Sequence, residues 1–268
     1  MMESICEYKL YRGGWVTLDS PHLSTPLTPK EVMDILAGGG YFIRNISNWD
    51  KQSPTQYWYV IKDNFGGIEE LPSKVRNQVR RSLKTYDFRR VTNAEMIELG
   101  YECFNRSREK FGGGCLLVTK DNWKRRVEAV NQEHWLGFDR ETGKAASFAM
   151  NIIGKDYCDY RTMGVSPVFP NSTYPMYGLI YEMNRYYLEE SSLKFVMDGA
   201  RSITEHSNIQ PFLEDKFKFR KAYCDLQIFY NRWIGAAVKL LFPFRKLIKH
   251  PKVAAILRQE AWARGLEG

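Results

Sequence analysis

The stretch Asp156–Gly199, reading DYCDYRTMGV, SPVFPNS, TYPMYGLIYEMNRYYLEE, SSLK and FVMDG, decides how the chain folds. Asp156–Val165 predicts a strand. Ser166–Ser172, bracketed by Pro167 and Pro170, predicts a loop. Met176, Ile180, Met183 and Tyr187 recur at i, i+4, i+7 and i+11, while Glu182, Arg185 and Glu189 lie elsewhere on the wheel, so a helix is expected from about Tyr174 to Glu190. Phe195-Val196-Met197 is too short an apolar run for a helix and predicts a strand covered on both faces, Lys194–Asp198. A second helix follows. In the closing strand Ala222, Cys224, Leu226 and Ile228 alternate with Tyr223, Asp225, Gln227 and Phe229. Strand, loop, helix, strand is a right-handed crossover unit, and its loop lies at the carboxyl end of the first strand, where ligands gather.

Working back towards the start, Lys144–Ile153 and His134–Phe138 predict a hairpin around Asp139–Gly143, with Ala146, Phe148, Met150 and Ile152 on one face. Asn93–Lys110 and Thr119–Val130 read as amphipathic helices divided by Gly112-Gly113-Gly114, and Phe88–Val91 as a short strand. Val75, Val79 and Leu83 give helical spacing after Leu71-Pro72-Ser73, with Ser73 as the expected N-cap. Tyr41–Ile46 and Tyr57–Ile61 are strands by composition, and polar Ser47–Thr55 is the loop between them. Thr28-Pro29-Lys30-Glu31 opens a helix to Ala37: a Thr cap, Pro at the first position and an acid in the first turn. The mixed order predicts an α+β class with a central, partly antiparallel sheet flanked by helices.

The chain of 268 residues allows one large domain or one with a smaller partner. No run approaches a membrane span and no signal peptide opens the chain, so a cytoplasmic location is expected. Five scattered cysteines (Cys6, Cys103, Cys115, Cys158, Cys224) and four scattered histidines give neither a disulfide framework nor a metal motif. Charge is uneven. After Asn231, eight cations face only Glu260 and Glu267, which places +6 of the net +8 in the last thirty-seven residues. Such a tail implies an anionic partner: phosphates, nucleic acid or a lipid surface.

Three segments together resemble a known group. Leu71–Lys84 (LPSKVRNQVRRSLK) is similar to the S-K-x-R-N-x-I-R-R-x-x-K helix of GNAT-like N-acyltransferases, in the branch of the FemABX aminoacyltransferases and the cellulose-biosynthesis-type acetyltransferases. Phe195–Arg201 is similar to that branch's F-D-F-G-G strand end, and Ser207–Phe219 to its F-x-x-F-K-x-x-F-G helix. The resemblance covers about Tyr57–Tyr230. It implies a GNAT-like fold in which two central parallel strands splay, exposing backbone N–H groups to an acyl carbonyl. It also implies a helix start near a carrier's phosphates. The chain departs from the acyl-CoA pattern in one respect: Val165–Pro175 contains no glycine, so its backbone cannot approach a pyrophosphate closely. The donor expected from the resemblance is acyl-CoA or aminoacyl-tRNA, with the missing glycine weighing against the first.

The candidate site residues each have a second, plainer reading. Arg76, Arg80 and Lys84 form a cationic stripe for a phosphate-bearing substrate, or a solvated helix face. Asp198, at the end of a buried strand, is placed to orient or deprotonate an acceptor amine, or caps the next turn. Arg201 pairs with Asp198 or clamps a phosphate. Lys216 falls on the family's helix lysine and steadies developing negative charge, or is one more surface cation. Tyr177 protonates a leaving thiolate or hydroxyl, or packs in the core. Tyr160 and Arg161, on the first central strand, and Asn208, ahead of its helix, are further candidates for binding substrate or phosphate, with Asn208 otherwise read as a helix cap. The expected organisation is an extension at 1–56, a GNAT-like domain at 57–231 and a basic amphipathic tail at 232–268. Residues 232–264 of that tail either lie on an anionic membrane or pack on the domain with a wet basic side. The expected function is N-acyl transfer to an amine of a cell-envelope or polysaccharide precursor, with tRNA as a possible partner. The alternative is an inactive GNAT-like module that binds RNA or an anionic surface.

Overall fold

A computed structural model gives the architecture for residues 8–11, 13–18, 20–109, 117–203 and 208–267. In chain order the elements are β1 (Tyr8–Tyr11), β2 (Gly14–Thr17), α1 (Pro29–Ala37), β3 (Phe42–Lys51), β4 (Tyr57–Lys62), α2 (Ser73–Thr85), β5 (Tyr86–Val91), α3 (Asn93–Glu109) and α4 (Lys120–Val127). They continue with β6 (Gln132–Asp139), β7 (Ala145–Ile153), β8 (Tyr157–Val165), α5 (Pro175–Arg185), β9 (Phe195–Ala200), α6 (Ile209–Phe217), β10 (Arg220–Tyr230), α7 (Arg232–Leu241) and α8 (Pro251–Ala263). These elements make two compact units. A split-strand unit comprises Ile61–Gly199 and Ile209–Arg220, and a terminal unit comprises Met1–Val60, Ala200–Asn208 and Lys221–Gly268.

In the split-strand unit the sheet order is β9-β8-β7-β6-β5. β5 to β8 pair antiparallel in sequence, and β9 joins β8 in parallel. Helices α3 and α5 both contact β7. Ala146–Asn151 is therefore buried throughout, the face of Ala146, Phe148 and Met150 and the opposite one alike. The core includes Met96, Phe104, Trp123 and Phe148. α5 ends in a π-turn, Tyr186–Glu190, where the Tyr187 hydroxyl donates to Glu133 Oε1 (2.5 Å) and accepts from Trp135 Nε1 (2.9 Å). The expected apolar face of α5 is the buried one, with Ile180, Met183 and Tyr187 in the core. α2 begins one residue earlier than expected: the Arg76 N–H bonds the Pro72 carbonyl (3.0 Å), so Pro72 is the N-cap and Ser73 the first helical residue. The Gly112-Gly113-Gly114 break lies outside the described residues.

In the terminal unit β10 runs antiparallel to β3, which pairs in parallel with β2. α1 opens as its sequence predicts, with a capping box between Thr28 and Glu31. β3 extends to Lys51, into the stretch read as a loop. Polar residues hold it there: Asn48 Nδ2 and Lys51 Nζ both donate to Asp225 on β10 (2.7 and 2.8 Å). Asn48 and Asp50 take positive φ (52° and 56°), which Asn and Asp tolerate better than other side chains, beside a register shift on β10. In β10 Ala222, Cys224 and Leu226 are buried while Tyr223, Asp225 and Gln227 are half-buried, as the alternation predicts.

Candidate active site at the parting of two parallel strands

β8 and β9 pair through only three registers, Tyr157↔Phe195, Cys158↔Val196 and Asp159↔Met197. β8 then continues for six residues, Tyr160–Val165, paired with β7 on one side and with no strand among the described residues on the β9 side. Alternate amides along that length point away from β7, because successive residues of a strand turn their N–H groups to opposite sides. The joined end is closed by a stacked ring pair, Tyr157 on Phe195, with planes 11° apart and centroids 5.4 Å apart. The strand end is shaped by Gly199, whose φ of +84° lies in the region that favours glycine, and a Cβ there would meet open space.

Two carboxylates mark the point of separation. Asp198 is half-buried, and its pKa is pushed up to about 7, first by desolvation and then by the nearby charge of Asp159, against a lowering hydrogen bond from the Gln210 side chain. Asp159 is only 7% exposed, and burial raises its pKa too, opposed by Arg161, whose Nη2 lies 2.9 Å from Asp159 Oδ2. Asp198 is thus poised near neutrality while Asp159 is held by a cation. Sequence reasoning missed Asp159; an acid inside the buried run Cys158–Tyr160 was the available signal.

Helix α6 brings in the other groups. Gln210 in its first turn reaches Asp198, and Lys216 in its last turn lies close enough to Tyr177 to lower that phenol's pKa. Six residues of helix span about 9 Å, so one short helix carries both groups, Gln210 and Lys216. Tyr177, in the first turns of α5, packs edge-on against Phe212 (5.2 Å) and near Phe217 (5.8 Å) of α6. Burial raises its pKa, partly offset by Lys216 and by a hydrogen bond with Gln78 of α2. Gln78 was hidden in the sequence within a run of cations. The loop ahead of α5 ends in a 3-10 turn at Asn171–Thr173, then Tyr174 at φ 58°, ψ 45°, then Pro175 at the first helical position. Tyr86 and Thr173 hydroxyls meet at 2.6 Å and pin this turn to β5. Gly178 serves packing: a Cβ there would collide with Phe88 and the Ser82 hydroxyl.

Other expected site residues sit elsewhere. Tyr160 is 2% exposed, donates its hydroxyl to Asn184 Oδ1 (2.8 Å) and packs near Tyr187 and Phe219, so it belongs to the core. Arg76 and Arg80 are both engaged by Glu69, the second at 3.0 Å, which cancels much of the expected stripe; Lys84 is exposed at the end of α2. Neither expected role of Arg201 fits its place. Its guanidinium lies 4.2 Å from the ring centroids of both Trp58 and Trp262 and donates to the Gln56 carbonyl (2.6 Å), all within the terminal unit. Asn208 is exposed and immediately precedes α6.

The terminal unit holds a cleft of about 320 Å³ lined in part by Gln56, Tyr57, Cys224, Asp225 and Trp262. It offers no base. Lys51 and Asn48 hold the Asp225 pKa down, and burial pushes the Cys224 thiol up to about 12. Among the described residues no cluster of His, Cys, Asp and Glu is arranged to hold a metal ion, and no helix is long and apolar enough to cross a membrane.

No protein-family model matches the chain, and no curated protein matches it. Solved structures do. L-PGS from Bacillus licheniformis superposes with a TM-score of 0.54 at 12% identity, over 97% of this chain and 85% of that one. The C-terminal domain of a putative lysylphosphatidylglycerol synthetase from Agrobacterium fabrum gives 0.53 at 13% identity, over 87% and 82%. FemX gives 0.51 at 11%, over 81% and 70%. Identities this low speak for architecture alone. The chain shares the mixed α+β fold of these three structures.

Proposed function

We propose that this chain is an N-acyltransferase that moves an acyl or aminoacyl group onto an amine of a cell-envelope or polysaccharide precursor. The observation that carries the reading is the parting of β8 and β9 beside Asp198, a carboxylate with a pKa of about 7. A base for an attacking amine works best when its pKa lies near the working pH. The name of one structural neighbour, a putative lysylphosphatidylglycerol synthetase, contains an aminoacylated lipid and supports the choice of an envelope precursor.

In the reaction the amine lone pair attacks the acyl carbonyl carbon, forming the C–N bond. The carbonyl oxygen takes the charge and is met by the Lys216 ammonium and the outward amides of β8. Asp198 takes the proton from the attacking nitrogen. Collapse breaks the bond between the acyl carbon and the carrier's sulfur or oxygen, and the Tyr177 hydroxyl gives its proton to the departing atom. Solvent then returns both side chains to their starting states. A phenol whose pKa is raised by burial suits an oxygen leaving group, whose anion is the stronger base, better than a thiolate. The lack of glycine in Val165–Pro175 favours the same choice, an aminoacyl ester of tRNA over acyl-CoA. Lys84, exposed at the end of α2, and Arg161, which also pairs with Asp159, are the cations assigned to an anionic group of the acceptor.

The test is a transfer assay with radiolabelled aminoacyl-tRNAs and CoA thioesters against amine acceptors, guided by mass spectrometry of ligand retained by the purified chain. The reading expects turnover that Asp198→Asn removes. Full turnover in Asp198→Asn, Lys216→Ala and Tyr177→Phe would refute the assignment. Salt-sensitive RNA binding with no transfer product would favour an inactive binding module.

A further inference from the structure

The C-terminal helices carry apolar side chains on two opposite faces, and the fold uses only one of them. Val238 and Phe242 of the α7 segment pack with Leu257 and Ala261 of α8, supported by Ile234, Leu241 and Ile248. On the other side Trp233 is 81% exposed, Leu240 73%, Phe244 56% and Leu247 76%. These four fall at i, i+7, i+11 and i+14, a spacing that keeps them in one stripe along α7 and the turns after it. Lone exposed apolar residues are ordinary, but a Trp, a Phe and two Leu in one row are not.

Charge surrounds this stripe. Residues 232–259 hold seven cations (Arg232, Lys239, Arg245, Lys246, Lys249, Lys252, Arg258) and no acid. The next acid, Glu260, is occupied: Tyr230 donates to it (2.8 Å) and Arg264 pairs with it (2.7 Å). Where α7 turns into α8, Arg245, Lys246 and Arg258 line a cleft of about 310 Å³ with Ile248 and Ala254. The Arg245 guanidinium lies 4.6 Å from the Phe242 ring centroid, and Arg258 Nη1 donates to the Ile203 carbonyl (2.5 Å), which leaves positive charge in the cleft with no carboxylate among its lining residues. Cations gathered in one cleft attract an anionic oxygen.

We infer that α7 and the turn after it form a docking surface for an anionic lipid bilayer: Trp233, Leu240, Phe244 and Leu247 enter the headgroup region, and the cleft of Arg245, Lys246 and Arg258 takes a lipid phosphate. A helix with aromatic and aliphatic residues on one side and unopposed cations around them lies in the bilayer interface, drawn by negative headgroups and held by its buried apolar face. Nucleic acid would satisfy the cations and leave the four apolar side chains in water, so the lipid surface is the better match. The inference stands on this surface alone and does not require transfer chemistry.

The test is co-sedimentation of the full chain with vesicles of 70% phosphatidylcholine and 30% phosphatidylglycerol, and with pure phosphatidylcholine vesicles, at low and physiological salt. Partitioning at least tenfold stronger onto the anionic vesicles is expected. Trp233→Ser with Leu247→Ser, and separately Lys246→Glu with Lys249→Glu, should each reduce it at least tenfold, with thermal melts unchanged because these side chains are outside the core. Phe244→Ser is the substitute if either pair lowers the melt. Absence of partitioning at low salt, or partitioning indifferent to both pairs, would overturn the inference. So would binding of an RNA duplex that depends on the lysines alone, or a dimer in sedimentation velocity that Trp233→Ser abolishes.

Discussion

At their first three paired residues β8 and β9 are an ordinary parallel pair, with Cys158 and Val196 fully buried and Tyr157 stacked on Phe195. One residue later the same strands carry Tyr160 and Asp198 and have separated. The first two joined registers, Tyr157–Phe195 and Cys158–Val196, are apolar, so pairing and ring stacking reinforce each other there, and Asp159 sits at the third, where the joining stops. The open end is carboxylate on one strand and a hydroxyl turned into the core on the other, and the strand there carries a positive-φ glycine next to its last residue. Burial does opposite things at the two ends. It stabilises the rings at one and raises the free energy of an ionised carboxylate at the other. A reactive group can be held in an unfavourable state because the apolar end three residues away fixes the strands.

The comparison is sharpened most by Asp198→Asn, which should lower kcat/KM by about 10²–10⁴-fold in the transfer assay while leaving the strands joined. At the other end Phe195→Ala should cost about 3 kcal/mol in denaturant unfolding, since it empties a buried ring position. Equal losses of turnover and stability from both substitutions would break the distinction. The pH dependence of stability comes next. Asp198 has a raised folded pKa, so between about pH 4 and 7 the native state binds more protons than the unfolded chain and stability falls as pH rises. At pH 8 Asp198→Asn should therefore be more stable than the parent, by on the order of 1–3 kcal/mol, and the gain should vanish below pH 4. Turnover of the parent should rise with pH and level off above about pH 7. Lys216→Ala should reduce kcat about tenfold with little change in KM, as loss of charge stabilisation does. The smallest effect is expected for Arg80→Ala, less than about threefold in KM, because that guanidinium is already shared with Glu69.

The crossover unit was legible because its signals are local: helical spacing in Met176–Tyr187, an apolar triplet at Phe195–Met197 and alternation from Ala222. Asp198 was legible as an acid at a strand end. What escaped depends on partners distant in sequence. The extension of β3 to Lys51 rests on Asp225 across the sheet, and no propensity of Asn48 or Asp50 announces it. Tyr160 read as a strand residue near the site, but Asn184 and Phe219 decide that it faces the core. Arg76 and Arg80 read as a free stripe because Glu69 precedes the helix and returns to them only in space. Arg201 needed two tryptophans from opposite ends of the chain.

Residue-resolved amide hydrogen exchange tests the parting of the strands most directly. The account predicts slow exchange, near the rate set by global unfolding, for the amides of Cys158 and Val196, and exchange faster by about two orders of magnitude or more for the gap-facing alternate amides of Arg161–Gly164. Uniformly slow exchange along β8 from Tyr157 to Val165 would mean that the two strands are joined throughout, and the proposed transfer site would have no room to exist.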